Sequence, residues 1–302
     1  MSTHTRDELA FLFGADIAAQ ARSMVAQGKG LNLKSDSAFK LFFCNGTPEA
    51  DACLRSFLSA AIGRTVTEAT VTNAELLPEY LGAKKPRLDI NCKLNDGQKA
   101  DIELQLTSAH DNQLLRSVYY GCKLYASALN EGEFYKDIPT VYQIFLLDFT
   151  LFSDTQFYHR GMFRLDDGTV MTDTLQILYF ELQKLAHTGS TLHKIRNWCK
   201  FITGCNDKNI ISELARDAAW KEDLEMALAN YGKVSAEERA WAYHLSLDRA
   251  EVDYRNGFLL AEMHGAQQNA VATARRMLAK GTFSVEEIAE LSGLAVEQVQ
   301  AL

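Results

Sequence analysis

Asp89 and Glu103 stand fourteen residues apart in the stretch Arg87 to Leu106, RLDINCKLNDGQKADIELQL. Both halves of it alternate strictly. Leu88, Ile90, Cys92 and Leu94 share one face with Ala100, Ile102, Leu104 and Leu106, while Arg87, Asp89, Asn91, Asp101, Glu103 and Gln105 take the other. That period of two predicts a half-buried β-hairpin with its acids on one side. A two-residue Asp96-Gly97 turn would pair Asn95 with Gln98 and set apolar side chains opposite polar ones, which a half-buried sheet does not tolerate. A three-residue loop, Asn95-Asp96-Gly97, restores agreement when Gly97 takes the left-handed conformation that its missing Cβ allows. Ile90 is then expected opposite Ile102, Cys92 opposite Ala100, and Asp89 opposite Glu103. Directly opposed residues have Cβ atoms about 4.5 to 5.5 Å apart, and like charges there repel. Two readings are open. A hard divalent cation such as Mg²⁺, which prefers carboxylate and carbonyl oxygens, would offset the repulsion. Alternatively, this is an exposed polar face on which Arg87 or a lysine neutralises the pair.

The elements around this hairpin follow from pattern. Residues 1–30 are helix-prone and break at Gly28-Lys29-Gly30, expected to be a flexible join. In LKSDSAFKLFF, Ser35 can cap a short helix with Asp36 and Lys40 spaced i,i+4 and Phe39, Phe42 and Phe43 as apolar anchors. A second helix runs from Glu49 to Ile62 and ends at Gly63, burying Leu54, Phe57, Leu58 and Ala61. Thr65 to Leu77 contains a first strand. After the hairpin, Asp111 to Leu129 reads as a helix burying Leu115, Val118, Cys122, Tyr125, Ala126 and Leu129, with Arg116 and Tyr120 i,i+4 on a neighbouring face. Val141 to Phe149, VYQIFLLDF, suits a central strand. Further strands are expected over Phe157–Phe163 and Leu175–Phe180.

Composition excludes several classes. The chain has 302 residues, 47% of them hydrophobic, and a net charge of −8, enough for one large or two smaller domains with real cores. MSTHTRDELA lacks the basic start and apolar core of a signal peptide, and runs such as Tyr142 to Leu147 are too short to span a bilayer. The expected location is the cytoplasm, with no membrane partner. Cysteines 44, 53, 92, 122, 199 and 205 show no C-x-x-C spacing and read as buried thiols, which argues against zinc or disulfides. The negative charge opposes nonspecific adhesion to nucleic acid, yet Lys34, Lys40, Lys84, Lys85, Arg87, Lys93 and Lys99 allow a local basic groove.

The order SDSAFK, RLDI, IELQ, R-S-V-Y-Y on a helix and Y-Q-I-F-L-L-D-F on a strand resembles the PD-(D/E)XK nuclease family transposases, also called recombination-promoting nucleases, over about residues 31 to 155. The resemblance implies a restriction-endonuclease-like α/β core, a mixed sheet flanked by helices. It makes Asp89 and Glu103 the motif acids and metal ligands, with the Leu104 backbone carbonyl a further ligand, and implies Mg²⁺ or Mn²⁺ as cofactor and DNA as partner. Gln105 falls where the wider superfamily has lysine, although glutamine there is usual in the transposase-like family. An amide can orient by hydrogen bonding but cannot supply positive charge. Leu88 stands where the motif's leading proline would be. Asp36, Lys40, Arg116 and Tyr120 match family positions, and with Arg87 they are accessory or phosphate-contacting candidates. The activity implied is metal-dependent hydrolysis of DNA phosphodiester bonds in recombination or mobile-element processes, with Gln105 completing the catalytic set. The alternative is a catalytically weak nuclease fold acting as a DNA-binding or regulatory module.

The expected division is an N-terminal helical extension (1–30), a nuclease-like domain (31–180) and an all-helical C-terminal region (181–302). In the last region Trp198, Phe201, Leu214, Trp220, Leu224, Met226 and Leu228 are the expected core. A long helical pattern from Ser235 to Lys280 opens on an S-A-E-E cap and is expected to break at Gly257 and Gly265. The tail TFSVEEIAELSGLAVEQVQAL reads as a helix-turn-helix-like pair. Ser284 and Glu287 form its capping box, Ser292-Gly293 its turn, and Ile288, Leu291, Leu294, Val296, Val299 and Leu302 its apolar stripe. Its second helix has no arginine or lysine to contact phosphate, so packing or homo-oligomerisation is expected of it, not DNA reading.

Overall fold

The computed structural model describes residues 7–72, 90–106, 112–129, 132–187 and 192–302. The chain divides into two compact units, with the boundary in sequence between Leu245 and Ser246.

The first unit is built on one six-stranded sheet. Its strands are β1 (Ala69–Val71), β2 (Ile90–Leu94), β3 (Lys99–Gln105), β4 (Val141–Leu147), β5 (Tyr158–Arg164) and β6 (Val170–Glu181), in the order β1-β2-β3-β4-β6-β5. The β3–β4 and β4–β6 pairs are parallel and the others antiparallel, giving the mixed sheet expected. The hairpin takes the expected register: Ile90 faces Ile102 and Cys92 faces Ala100. Gly97 sits at φ 75° in the three-residue loop, and Leu94 N–H donates to the Gln98 carbonyl at 2.7 Å. Arg87 and Asp89 lie outside the described residues, as do Lys84 and Lys85, so the facing of Asp89 and Glu103 does too. All seven residues of β4 are buried, as its apolar run and central place require.

Among the described residues, eight helices and the start of a ninth accompany the sheet. They are α1 (Glu8–Phe13), α2 (Ala15–Ala26), α3 (Asp36–Cys44), α4 (Pro48–Ile62), α5 (Gln113–Ala126), α6 (His193–Gly204), α7 (Lys208–Leu214), α8 (Lys221–Ser235) and the first turns of α9 (Glu238–Lys280). Ser35 caps α3 by accepting from Ala38 N–H, and Gly63 closes α4 in the left-handed conformation. The core joins α3 and α4 to α6 and α8. Trp198 is fully buried among the rings of Phe42, Phe43, Phe57, Phe201 and Trp220, with centroids 5.6 to 6.4 Å away. Leu214 and Leu224 are buried as expected, while Met226 and Leu228 are only half-buried.

Three local expectations are corrected. Gly28-Lys29-Gly30 is no loose join at its far end, because Leu31 is fully buried and a Cβ on Gly30 would stand 2.1 Å from Asn206 Oδ1 and from the Tyr231 hydroxyl. Ser235 ends α8 instead of opening α9, and its hydroxyl accepts from Leu31 N–H at 3.3 Å. Gly257 and Gly265 do not break α9, which runs 43 residues; a single glycine costs a helix only about 1 kcal/mol relative to alanine.

A fourth correction concerns α5. Its buried residues are Gln113, Ser117 and Gly121, while Leu115, Val118, Cys122 and Ala126 are exposed. Small residues let the helix lie close on the sheet. A Cβ at Gly121 would meet Gln143 Oε1 at 2.9 Å and Ile177 Cδ1 at 3.5 Å. The contact is polar, since Ser117 and the Tyr179 hydroxyl share a hydrogen bond and Tyr125 bonds Thr174 at 2.7 Å.

In the second unit, α10 (Val285–Ser292) and α11 (Val296–Gln300) pack on the end of α9. The capping box forms as expected: Glu287 N–H donates to Ser284 Oγ at 3.2 Å and Ser284 N–H to Glu287 Oε2 at 2.7 Å. Gly293 makes the turn at φ 73°.

Candidate functional site

Alternation along the strands decides which side chains meet. Asn91 of β2, Asp101, Glu103 and Gln105 of β3, and Gln143 of β4 share one face, with Asn91 and Gln143 each directly paired to Asp101. α5 lies over this face and leaves part of it open. The resulting cleft, about 480 Å³, is lined by Asp36, Asn91, Asp101, Glu103, Leu104, Gln105, Arg116, Tyr120, Lys123, Leu124 and Ser127. Of the residues singled out from the sequence, Asp36, Glu103, Leu104, Gln105, Arg116 and Tyr120 therefore come together from α3, β3 and α5. Lys40 does not line it. One turn beyond Asp36, Lys40 is only 1% exposed. Lys34 is engaged too, with Nζ 2.7 Å from Asp148 Oδ2.

The lining oxygens have defined surroundings. Gln105 Nε2 donates to Glu103 Oε2 at 3.1 Å, which fixes one carboxylate oxygen and leaves the amide oxygen as an acceptor. The backbone carbonyl of Gln105 accepts from Asp148 N–H at 2.9 Å, anchoring the end of β3 to the end of β4. Arg116 makes no ion pair with a described residue; its guanidinium lies over the Tyr120 ring, 5.6 Å from the centroid. Asp101, 6% exposed, forms part of the floor. Beside it in register, the fully buried Gln143 amide has no hydrogen-bond partner among the described residues. Asn91, Asp101 and Lys123 were not singled out in the sequence. Their signals were present, however: Asn91 and Asp101 alternate in phase with Glu103, and Lys123 follows Arg116 by two helical turns.

The donor set is oxygen-rich, offering carboxylates, an amide and a backbone carbonyl, with no thiol or imidazole lining the cleft among the described residues. That chemistry suits a hard cation such as Mg²⁺, which takes one or two carboxylates together with water and phosphate oxygens. Among the described residues no three His, Cys, Asp or Glu side chains converge as a complete ligand set, and Asp89 is outside them. A second carboxylate, Glu181 at the end of β6, is by contrast fully occupied. It accepts from Leu151 and Phe152 N–H at 2.6 and 3.2 Å, and from Lys184 Nζ at 2.8 Å. It pins the loop at Leu151 and Phe152. The cysteines agree with the reading of free thiols, five of them buried and Cys122 exposed; burial pushes Cys44 and Cys53 up to about 12.

The family model for PD-(D/E)XK nuclease family transposases matches residues 33–259. The chain belongs to this family. The match begins just before Asp36, contains every element that lines the cleft, and continues into the helices beyond the 31–155 stretch that carried the resemblance. The mixed sheet between helices is the restriction-endonuclease-like α/β fold of such nucleases. No curated protein and no solved structure matches the chain. Among the described residues, no helix is long and apolar enough to cross a membrane.

Proposed function

We propose that this family member is a divalent-metal-dependent DNA endonuclease, acting in recombination or mobile-element processes in the cytoplasm, with residues 31–180 as its nuclease domain. The observation that carries the reading is Glu103 held by Gln105 in an open, oxygen-lined cleft that also presents the Arg116 guanidinium. Asp89, Glu103 and the Leu104 carbonyl would hold Mg²⁺ or Mn²⁺. When bound, such an ion supplies a water of lowered pKa and screens the charge that gathers on phosphorus. The remaining work falls to the chain. Gln105 orients the Glu103 carboxylate and, through its amide oxygen, accepts a hydrogen bond from the attacking water. Arg116 offers a planar cation to a phosphate oxygen, and Tyr120 holds that guanidinium by a cation–π contact. Asp36 closes the side wall.

A second reading has one observation in its favour. With glutamine in place of the superfamily's lysine, no cation issues from β3 to stabilise the transition state, which would leave a DNA-binding or regulatory module. Nicking of supercoiled plasmid by purified protein decides between them. Cleavage with Mg²⁺ or Mn²⁺, abolished by EDTA and by Asp89→Ala or Glu103→Ala in protein whose circular dichroism is unchanged, is the expected result. If both variants cut at the parent rate, the metal-site reading is wrong; if the parent binds plasmid and never cuts, the second reading stands.

A further inference from the structure

An apolar helix face turned to solvent needs a partner, and α5 has one beside the cleft. Leu115 and Tyr119 are 68% and 64% exposed, one step around the helix from Arg116, Tyr120 and Lys123, which line the cleft. The two tyrosine rings meet edge to face at 5.4 Å, and Arg116 lies over the second. On its other side the cleft continues. Ser127 lines both it and a neighbouring cleft whose walls include Lys93, Lys99 and Phe134, together with Glu133 and Asp137. Phe134 is 68% exposed with Lys136 Nζ 5.4 Å from its ring centroid. Cations and open aromatic faces thus flank the candidate site on both sides.

We infer that single-stranded DNA is the substrate form that crosses this site, its bases stacking on Tyr119 and Phe134 and its phosphates following Arg116, Lys123, Lys99 and Lys93. The inference rests on the nuclease reading of the cleft and names its substrate class. Stacking platforms interleaved with cations bind unpaired bases whatever their sequence, because each base has a π-face. A duplex keeps its bases stacked internally and presents phosphates and groove edges, for which an exposed Leu115–Tyr119 face has no counterpart. A second copy of the chain would find cations rather than a continuous apolar surface here.

Fluorescence anisotropy in EDTA tests this without cleavage, using a labelled oligothymidine and a duplex of equal length. The parent protein should bind the single strand at least tenfold more tightly. Tyr119→Leu and Phe134→Leu keep the apolar bulk but remove the ring, and each should weaken single-strand binding by about tenfold, with Tyr119→Phe restoring it. Equal affinity for both forms, or no effect of either leucine variant, would overturn the inference. So would tighter binding of oligouridine than of oligothymidine. Loss of mass in light scattering for Tyr119→Leu at unchanged affinity would assign the face to a second copy instead. Because these readouts involve no catalysis, the endonuclease reading fails separately, through absent nicking, and a protein that nicks duplex plasmid with no dependence on Tyr119 keeps that reading and loses this one.

Discussion

On the proposed nuclease reading, catalytic strength turns on Gln105. Its amide donates to Glu103 at 3.1 Å, so it acts through the carboxylate's orientation, whereas a lysine there would bring charge. Gln105→Lys is expected to retain or raise nicking, since an ammonium in hydrogen-bond reach of Glu103 also faces the developing phosphate charge. A loss as large as that of Glu103→Ala would show instead that the amide has its own specific role. Removing Glu103 itself should leave apo stability unchanged or slightly raised, because it relieves repulsion within an acidic face; a thermal melt checks this. The thiols give a second residue-scale test. Only Cys122 is exposed, and burial holds Cys44, Cys53, Cys92 and Cys199 well above the ordinary thiol range. Thiolate is the reactive form, so a disulfide reagent at neutral pH should modify one thiol per native chain and six after denaturation. Cys122→Ser should leave none reactive before denaturation.

At the scale of elements, the hairpin was legible and the orientation of α5 was not. A period of two combined with one left-handed glycine leaves a single register consistent with one buried face, and β2–β3 adopts it. For α5 the apolar positions gave a helix correctly but pointed its face the wrong way. The surface beneath it is polar, with Gln143 and Tyr179 as partners, so a stripe of Gln113, Ser117 and Gly121 fits closer than leucine and valine would. Hydrophobic periodicity assumes that the partner is apolar, which a sheet face lining a cleft need not be. Cleft residues contributed by the phase of a strand were readable once the register was known, as Asp101 and Asn91 show. The depth of Lys40 was not legible, because i,i+4 spacing from Asp36 does not say how far a helix sits in the core. The tight join at Gly30 gives a test at this scale. Gly30→Ala places a methyl group 2.1 Å from the Tyr231 hydroxyl and Asn206, and should displace the Tyr231 bond to the Leu31 carbonyl, 2.7 Å long. Overpacking of this kind costs about 1 to 3 kcal/mol, measurable by urea unfolding, with cleft chemistry per folded molecule unaltered.

At the scale of the whole molecule, the segment after Thr282 is expected to bear on assembly and stability and not on chemistry. Its apolar stripe finds cover within its own unit: Ile288, Ala289, Leu294 and Val299 are buried with Ala274, against Ala270, Val271 and Met277 of α9. Leu291 stays 63% exposed. α11 carries Glu297, Gln298 and Gln300 and no cation, so the phosphate contacts that dominate DNA affinity are missing from it. Truncation after Gly281 strips α9 of its cover and bares Val271, Ala274 and Met277 on one helical face. Exposed apolar surface of that kind either lowers stability or recruits another chain. The truncated protein is therefore expected to melt at a lower temperature or to change mass in light scattering, while metal-dependent nicking per folded molecule survives, because among the described residues none that lines the cleft lies beyond Ser127. Leu291→Lys separates the two outcomes, since a charge on the most exposed position of the apolar stripe blocks self-association without opening the buried cluster. A collapse of DNA affinity on truncation, with a shallower dependence on salt, would instead make this helical pair a DNA reader.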